Sequence, residues 1–145
     1  MISCTAEYAL RAIVYLADQT GPQTNAQIAK ATQVPGGYLS KVMQGLGRAG
    51  LVNGQRGLRG GFTLAREPEK LAVLEVVNVA DPVRRFHKCP LDTHGIELCP
   101  LHRGLDDAAK AVEETFGDTT IADLLHVPRH RKPLCRFPAI PECSP

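Results

Sequence analysis

Apolar side chains recur with a helical period at the start of the chain. Ala6, Ala9, Ile13 and Leu16 form one stripe and Leu10, Val14 and Ala17 another, so a helix over Thr5 to Ala17 is predicted to be buried on more than one side. Gly21-Pro22 breaks the pattern. Thr24 and Gln27 then have the spacing of a capping box, in which each side chain satisfies an orphan amide at a helix start, and a short helix over Asn25 to Ala31 is expected to follow. Pro35-Gly36-Gly37 interrupts again before Leu39, Val42, Met43 and Leu46 recur at i, i+3, i+4 and i+7, the buried face of a third helix. Ser40, Lys41, Gln44 and Arg48 point the other way.

Leu51-Val52-Asn53 and Phe62-Thr63-Leu64 read as two short strands. The stretch joining them, Gly54 to Gly61, is too rich in glycine for a helix and carries Arg56 and Arg59 on either side of its tip. A further helix is predicted over Val73 to Ala80, ending near Asp81-Pro82 because the residue before proline disfavours helical geometry. Residues 86–100 show neither period. From Leu101 a long amphipathic helix is expected, with Leu105, Ala108, Ala109, Val112 and Phe116 on one face, Asp106, Lys110, Glu113 and Glu114 on the other, and its end at Gly117. Thr120 and Asp123 repeat the capping-box spacing for a last short helix ending near His126.

The pattern predicts a mainly α fold with a small β-hairpin wing: a winged helix-turn-helix followed by a long C-terminal dimerisation helix. Residues 1–82 would form the winged domain, 83–100 a Cys/His metal-binding loop and 101–126 the dimerisation helix with the short terminal one. Five prolines in the nineteen residues 127–145 leave that tail with no regular structure expected. No period of ~20–50 residues repeats, which excludes a solenoid.

Composition sharpens this picture in two places. Four Phe, three Tyr and no Trp among 145 residues mean a core of Leu, Val, Ile and Ala, which suits closely packed helices. The formal net charge of +2 conceals a division along the chain. Residues 1–65 carry six Lys or Arg against two acidic residues, 66–126 seven against twelve, and 127–145 four against one. No apolar run approaches the ~20 residues of a membrane span, and the first residues lack a basic-then-apolar leader, so a cytoplasmic protein with no membrane contact is expected.

A basic N-terminal region, two short helices around a turn and a glycine-rich hairpin together point to double-stranded DNA. On the third helix Ser40 and Gln44 suit base edges, Lys41 and Arg48 phosphates. Arg59 beside Gly60 suits a narrow minor groove and Arg56 a phosphate. Each is also an ordinary solvated polar group when taken alone. A long helix with one apolar stripe after a complete small domain suits pairing with its own copy, which would set two recognition helices on half-sites ~one DNA turn apart, a near-palindromic site.

Five cysteines in a reducing compartment suggest metal or redox chemistry before structural disulfides. Cys89, Cys99 and His102 lie within fourteen residues, and Cys99 and His102 stand about one turn apart at the start of the long helix, so they can share one metal ion or cluster. Cys89, His94, Cys99 and His102 instead make a plausible four-coordinate zinc set, and free thiols beside surface histidines remain the plain alternative. Cys4, early in a buried helix, reads as core; Cys135 and Cys143 sit in the proline-rich tail, reactive or idle. No nucleotide loop or nucleophile and base constellation is present, so no enzyme is expected; a zinc-stabilised protein-interaction module is the stronger rival to a DNA regulator.

Glu7-Tyr8-Ala9-Leu10-Arg11, Gly37-Tyr38-Leu39, Arg48-Ala49-Gly50-Leu51-Val52, Arg56-Gly57-Leu58-Arg59-Gly60-Gly61-Phe62 and Cys99-Pro100-Leu101-His102 together resemble the BadM and Rrf type of winged-helix transcription regulators, the IscR- and NsrR-like proteins, over residues 1–126. The resemblance implies a homodimer on a palindromic promoter, with base contacts from Ser40, Gln44 and Arg59; Thr24, Tyr38, Lys41, Arg48, Arg56 and Gly60 complete the set of candidate DNA contacts. It implies sensing of redox, nitric oxide or iron-sulfur status through a cluster, 2Fe-2S before 4Fe-4S. Cys89, Cys99 and His102 match family ligand positions, and Glu7 matches an acidic ligand given by the partner's first helix. The middle cysteine of the family loop is missing here, which leaves His94 as a substitute ligand, or zinc, or a thiol switch in place of the cluster.

Overall fold

The computed structural model describes residues 2–91 and 97–126. Within them run α1 (Cys4–Ala17), α2 (Asn25–Thr32), α3 (Gly36–Arg48), β1 (Val52–Gln55), β2 (Gly61–Leu64), a 3-10 turn at Pro68–Lys70, α4 (Val73–Ala80), α5 (Pro100–Gly117) and α6 (Ile121–Leu125). The fold is mostly helical with one antiparallel hairpin, as the periodicity predicts. Among the described residues no helix is long and apolar enough to cross a membrane.

α1 is the centre of the core. The Ser3 hydroxyl accepts from the Ala6 N–H at 3.2 Å, which satisfies one orphan donor and fixes the helix start. Both predicted stripes are used: Ala6, Ala9, Ala12 and Ile13 are fully buried, and α1 contacts α2, α3, α4 and α6. Alanines on this helix let its neighbours approach closely, while Ile28, Leu39, Met43, Leu46, Leu71, Val76 and Ile121 fill the space around it.

The capping box of α2 forms, with the Thr24 N–H donating to Gln27 Oε1 at 2.8 Å and the Gln27 N–H to Thr24 Oγ1 at 3.2 Å. α3 starts earlier than its apolar stripe suggests. Pro35 is its N-cap, and Gly36 and Gly37 lie in its first turn, where backbone N–H groups have no intrahelical partner and glycine interrupts little. At its other end Gly50 takes a left-handed φ of 71°. Its N–H bonds Gly47 O at 3.0 Å and the Leu51 N–H bonds Leu46 O at 2.9 Å, a Schellman turn that reverses the chain into β1.

The hairpin pairs Val52 with Leu64 through to Gln55 with Gly61, slightly longer than the apolar pattern indicates. Gln23 bridges to Phe62 by two backbone hydrogen bonds of 3.0 and 2.8 Å, tying the wing to the α1–α2 turn. A one-residue bridge leaves no period for sequence to display. α4 starts with the Ala72 N–H on Glu75 Oε1 at 3.3 Å, and Leu71 and Val73 exchange backbone bonds with Ile121 and Thr119, which seats α6 under the domain.

The apolar stripe of α5 divides in two. Phe116 packs against the core, whereas Leu101 and Leu105 are 65% and 47% exposed. The expectation that this helix has nothing of its own to cover therefore fits its N-terminal half alone. The tail expectation for 127–145 and the candidate ligand His94 lie outside the described residues.

Candidate nucleic-acid interface and metal centre

The α3 face away from the core carries Ser40, Lys41, Gln44 and Arg48, all exposed, because Leu39, Val42, Met43 and Leu46 supply the buried stripe on the opposite side. Ser40 is already engaged: its hydroxyl donates to Gly36 O at 3.0 Å and accepts from Asn25 Nδ2 at 3.1 Å, which leaves it one free acceptor position. Tyr38 is 40% exposed, with its ring edge-on to the buried Tyr8 at 6.2 Å, so α1 sets its orientation. Thr24 stands exposed at the start of α2 as the capping residue. Between α2 and the wing lies an open cleft of about 420 Å³ lined by Thr24, Asn25, Gln55, Arg56, Gly60 and Phe62.

Arg56 and Arg59 are exposed on the wing. Its glycines answer to the wing's own backbone: a side chain at Gly60 would meet Gln55 O at 2.5 Å, and one at Gly61 would meet the Gln23 backbone at 2.7 Å. The exposed cations Lys41, Arg48, Arg56 and Arg59 sit on α3 and the hairpin, with no carboxylate partner among the described residues.

The described residues also hold one convergent group of metal-ligating atoms: Cys89, Cys99 and His102, all within 4.8 Å of one another. Cys99 is the N-cap of α5 and Pro100 its first residue, so His102 follows on the same side of the first turn. Cys99 Sγ lies 3.0 Å and Cys89 Sγ 3.7 Å from His102 Nδ1. Cys89 is buried at 1% exposure while the other two are half-buried, so the group has a dry inner side and an open outer one. The backbone N–H and imidazole of His102 pull the Cys99 thiol from 9.0 to about 7.

Two sulfurs and one imidazole fit a tetrahedral zinc with an open fourth position, or part of the ligand set of an iron-sulfur cluster. Glu7 is not part of this group within the chain. It lies on α1, 48% exposed, and pairs with Arg11, whose guanidinium also reaches Thr32 O at 3.4 Å.

Sequence reasoning missed the attachment behind the metal group. Asp106 and Glu113, read as a solvent face, are turned instead onto Arg85: their side chains are 15% and 30% exposed. Arg85 Nε and NH2 donate to the two Asp106 oxygens at 2.7 and 2.8 Å, and NH1 donates to Glu113 at 2.8 Å. This guanidinium holds the Asp106 carboxyl well below the usual carboxylate range. Phe86 places its ring 5.2 Å from that of His102. The two acids seven residues apart on one helix, with an arginine just upstream of Cys89, were the available signal.

The family model described as an iron-dependent transcriptional regulator, Rrf2, matches residues 2–127. A protein of Aquifex aeolicus (strain VF5) described as an HTH-type transcriptional regulator is 31% identical, over 94% of this chain and 99% of that protein. The HTH-type transcriptional regulator NsrR of Geobacillus kaustophilus (strain HTA426) is 31% identical over 82% of this chain and 85% of its own length. Among solved structures, T. potens IscR superposes with a TM-score of 0.72 at 28% identity, covering 86% of this chain and 85% of that one. CymR, the global cysteine regulator of B. subtilis, gives 0.71 at 28% identity, covering 86% and 95%.

Proposed function

The chain belongs to the Rrf2 family of iron-dependent transcriptional regulators and is a DNA-binding transcription regulator, and from that premise we propose that a metal held by Cys89, Cys99 and His102 sets its affinity for promoter DNA. The observation that carries the reading is the convergence of those three side chains at the first turn of α5. The relatives are named as regulators, which fits the expectation of a non-enzyme.

In this reading the protein acts in the cytoplasm as a homodimer on a near-palindromic site. Leu101 and Leu105 stay exposed, beside an apolar groove of about 530 Å³ between α1, α4 and α5 that suits the equivalent helix of a second protomer. Gln44 and the remaining acceptor of Ser40 read base edges; Lys41, Arg48 and Arg56 bind phosphate; Arg59 enters the minor groove; Thr24, Tyr38 and Gly60 border the contact.

The group proposed at the metal centre is an iron-sulfur cluster, 2Fe-2S before 4Fe-4S, ligated by Cys89, Cys99 and His102, with Glu7 of the partner protomer or His94 as the fourth ligand. Such a group supplies redox and ligand-exchange chemistry, responsive to oxidants, nitric oxide or cluster supply. The protein's own part is to hold the ligands together and to carry their state along α5, the helix on which Cys99 and His102 begin. A second reading, a zinc or thiol regulator or interaction module, is favoured by the three-donor group among the described residues and by the lowered Cys99 thiol.

Anaerobic purification followed by the visible spectrum and iron, sulfide and zinc analysis tests the choice. Charge-transfer bands with matching iron and sulfide are the expected result. A colourless protein with zinc, or with no metal, would replace the cluster with the second reading.

A further inference from the structure

Cys89 reaches the metal group from a stretch without regular structure, residues 81–91, whereas Cys99 and His102 ride on α5. Something must fix that stretch against the helix if the three donors are to converge. Arg85 and Phe86 lie in it, four and three residues before Cys89. The Arg85 guanidinium grips both oxygens of Asp106 and reaches Glu113 two turns further along α5. The Phe86 backbone N–H donates to the same Asp106 Oδ1 at 2.8 Å. The Phe86 ring stands 5.2 Å from the His102 ring, against which it is tilted by 56°.

We propose that Arg85 is a positioning residue for the metal centre, holding residues 85–89 on α5 through Asp106 and Glu113 so that Cys89 meets Cys99 and His102. The inference rests on the metal-centre reading above and deepens it. A planar fork on a carboxylate, charge-assisted and partly buried at 27% and 15% exposure, is a directional joint, unlike the exposed Lys110–Glu114 pair at 58% and 63%. With Asp106 accepting three hydrogen bonds at once, the helix fixes both the arginine and the backbone that follows it. His102 receives its outer support from Phe86, in the manner of residues behind the ligands of other metal sites.

The convergence can be read without any metal. In the full-length, reduced, metal-free protein, diamide takes two electrons and two protons from a thiol pair and leaves a disulfide. Cys89 and Cys99 lie on one tryptic peptide, residues 89–103, so their disulfide is read as the loss of two hydrogens. Arg85→Met should slow its formation by about tenfold, and Glu113→Gln, which keeps the Asp106 fork, should slow it by less. Arg66→Met breaks the Arg66–Glu75 pair away from the cysteines and should leave the rate unchanged. Arg85→Lys keeps the charge without the fork and gives the same reading should Arg85→Met fail to fold.

A wild-type rate in a folded Arg85→Met or Arg85→Lys chain, or no disulfide in the wild type, would overturn the proposal. Cobalt titration of the wild type separates the two ideas: failure to bind metal sinks the metal-centre reading and leaves the disulfide result to judge Arg85.

Discussion

At the scale of single residues, Cys99 is a candidate ligand whose chemistry departs from what its type supplies. A half-buried thiol would ordinarily resist ionisation, yet the His102 backbone N–H and imidazole outweigh that burial and bring it from 9.0 to about 7. Because the shift is downward, the thiolate forms at lower pH in the folded chain than in the unfolded one, so near neutrality Cys99 is ready to ligate metal or to react. Alkylation of Cys99 in the metal-free protein should rise through a midpoint near pH 7, and His102→Ala should move that midpoint up toward the ordinary thiol value. An unchanged midpoint in the variant would remove the imidazole as a cause and leave the backbone N–H, which the substitution keeps. The pairing of cysteine and histidine was legible from their spacing of three; the relative burial of Cys89 and Cys99 was not, because it depends on a segment with no period of its own.

At the scale of elements, periodicity located the helices because burial repeats with the backbone, as the stripe Leu39, Val42, Met43 and Leu46 shows. It failed where a few hydrogen bonds decide the outcome. Gly36 and Gly37 read as a break yet open α3, and Gln23, which shows no pattern of its own, holds the wing. At Gly60 and Gly61 the space a side chain would take is filled by wing backbone and by Gln23. Gly61→Ala should therefore cost about 1–3 kcal/mol in urea unfolding, since its φ of 151° and the contact at 2.7 Å both oppose a side chain. A cost near zero would mean that the wing is not pinned there. On α3, Gln44→Ala should weaken binding to a selected duplex by about 1–3 kcal/mol and relax preference at one base pair, with thermal stability kept. Equal losses on all sequences would make Gln44 a phosphate contact.

For the molecule as a whole, α5 and the core beneath it connect the Cys/His group to the elements proposed to bind DNA. The exposed cations proposed to meet DNA belong to α3 and the wing, the Cys/His group to the start of α5, and α4 packs against α1, α3 and α5. A change at the Cys/His group has a continuous packed path through α5 and α4 to α3. The fold was largely open to sequence reasoning, since capping boxes, a proline stop and apolar stripes act locally. The Arg85 attachment was not, because Asp106 and Glu113 look like solvated charges until residues 81–91 are laid across them. Coupling is the central claim, and anaerobic fluorescence anisotropy on a duplex selected from a random pool measures it directly. Metal-loaded and metal-free wild-type protein should differ in affinity by about fivefold or more, with Cys99→Ser insensitive to metal. Equal affinities for the two wild-type forms would contradict it, leaving a DNA-binding regulator whose metal centre does not govern its grip on the promoter.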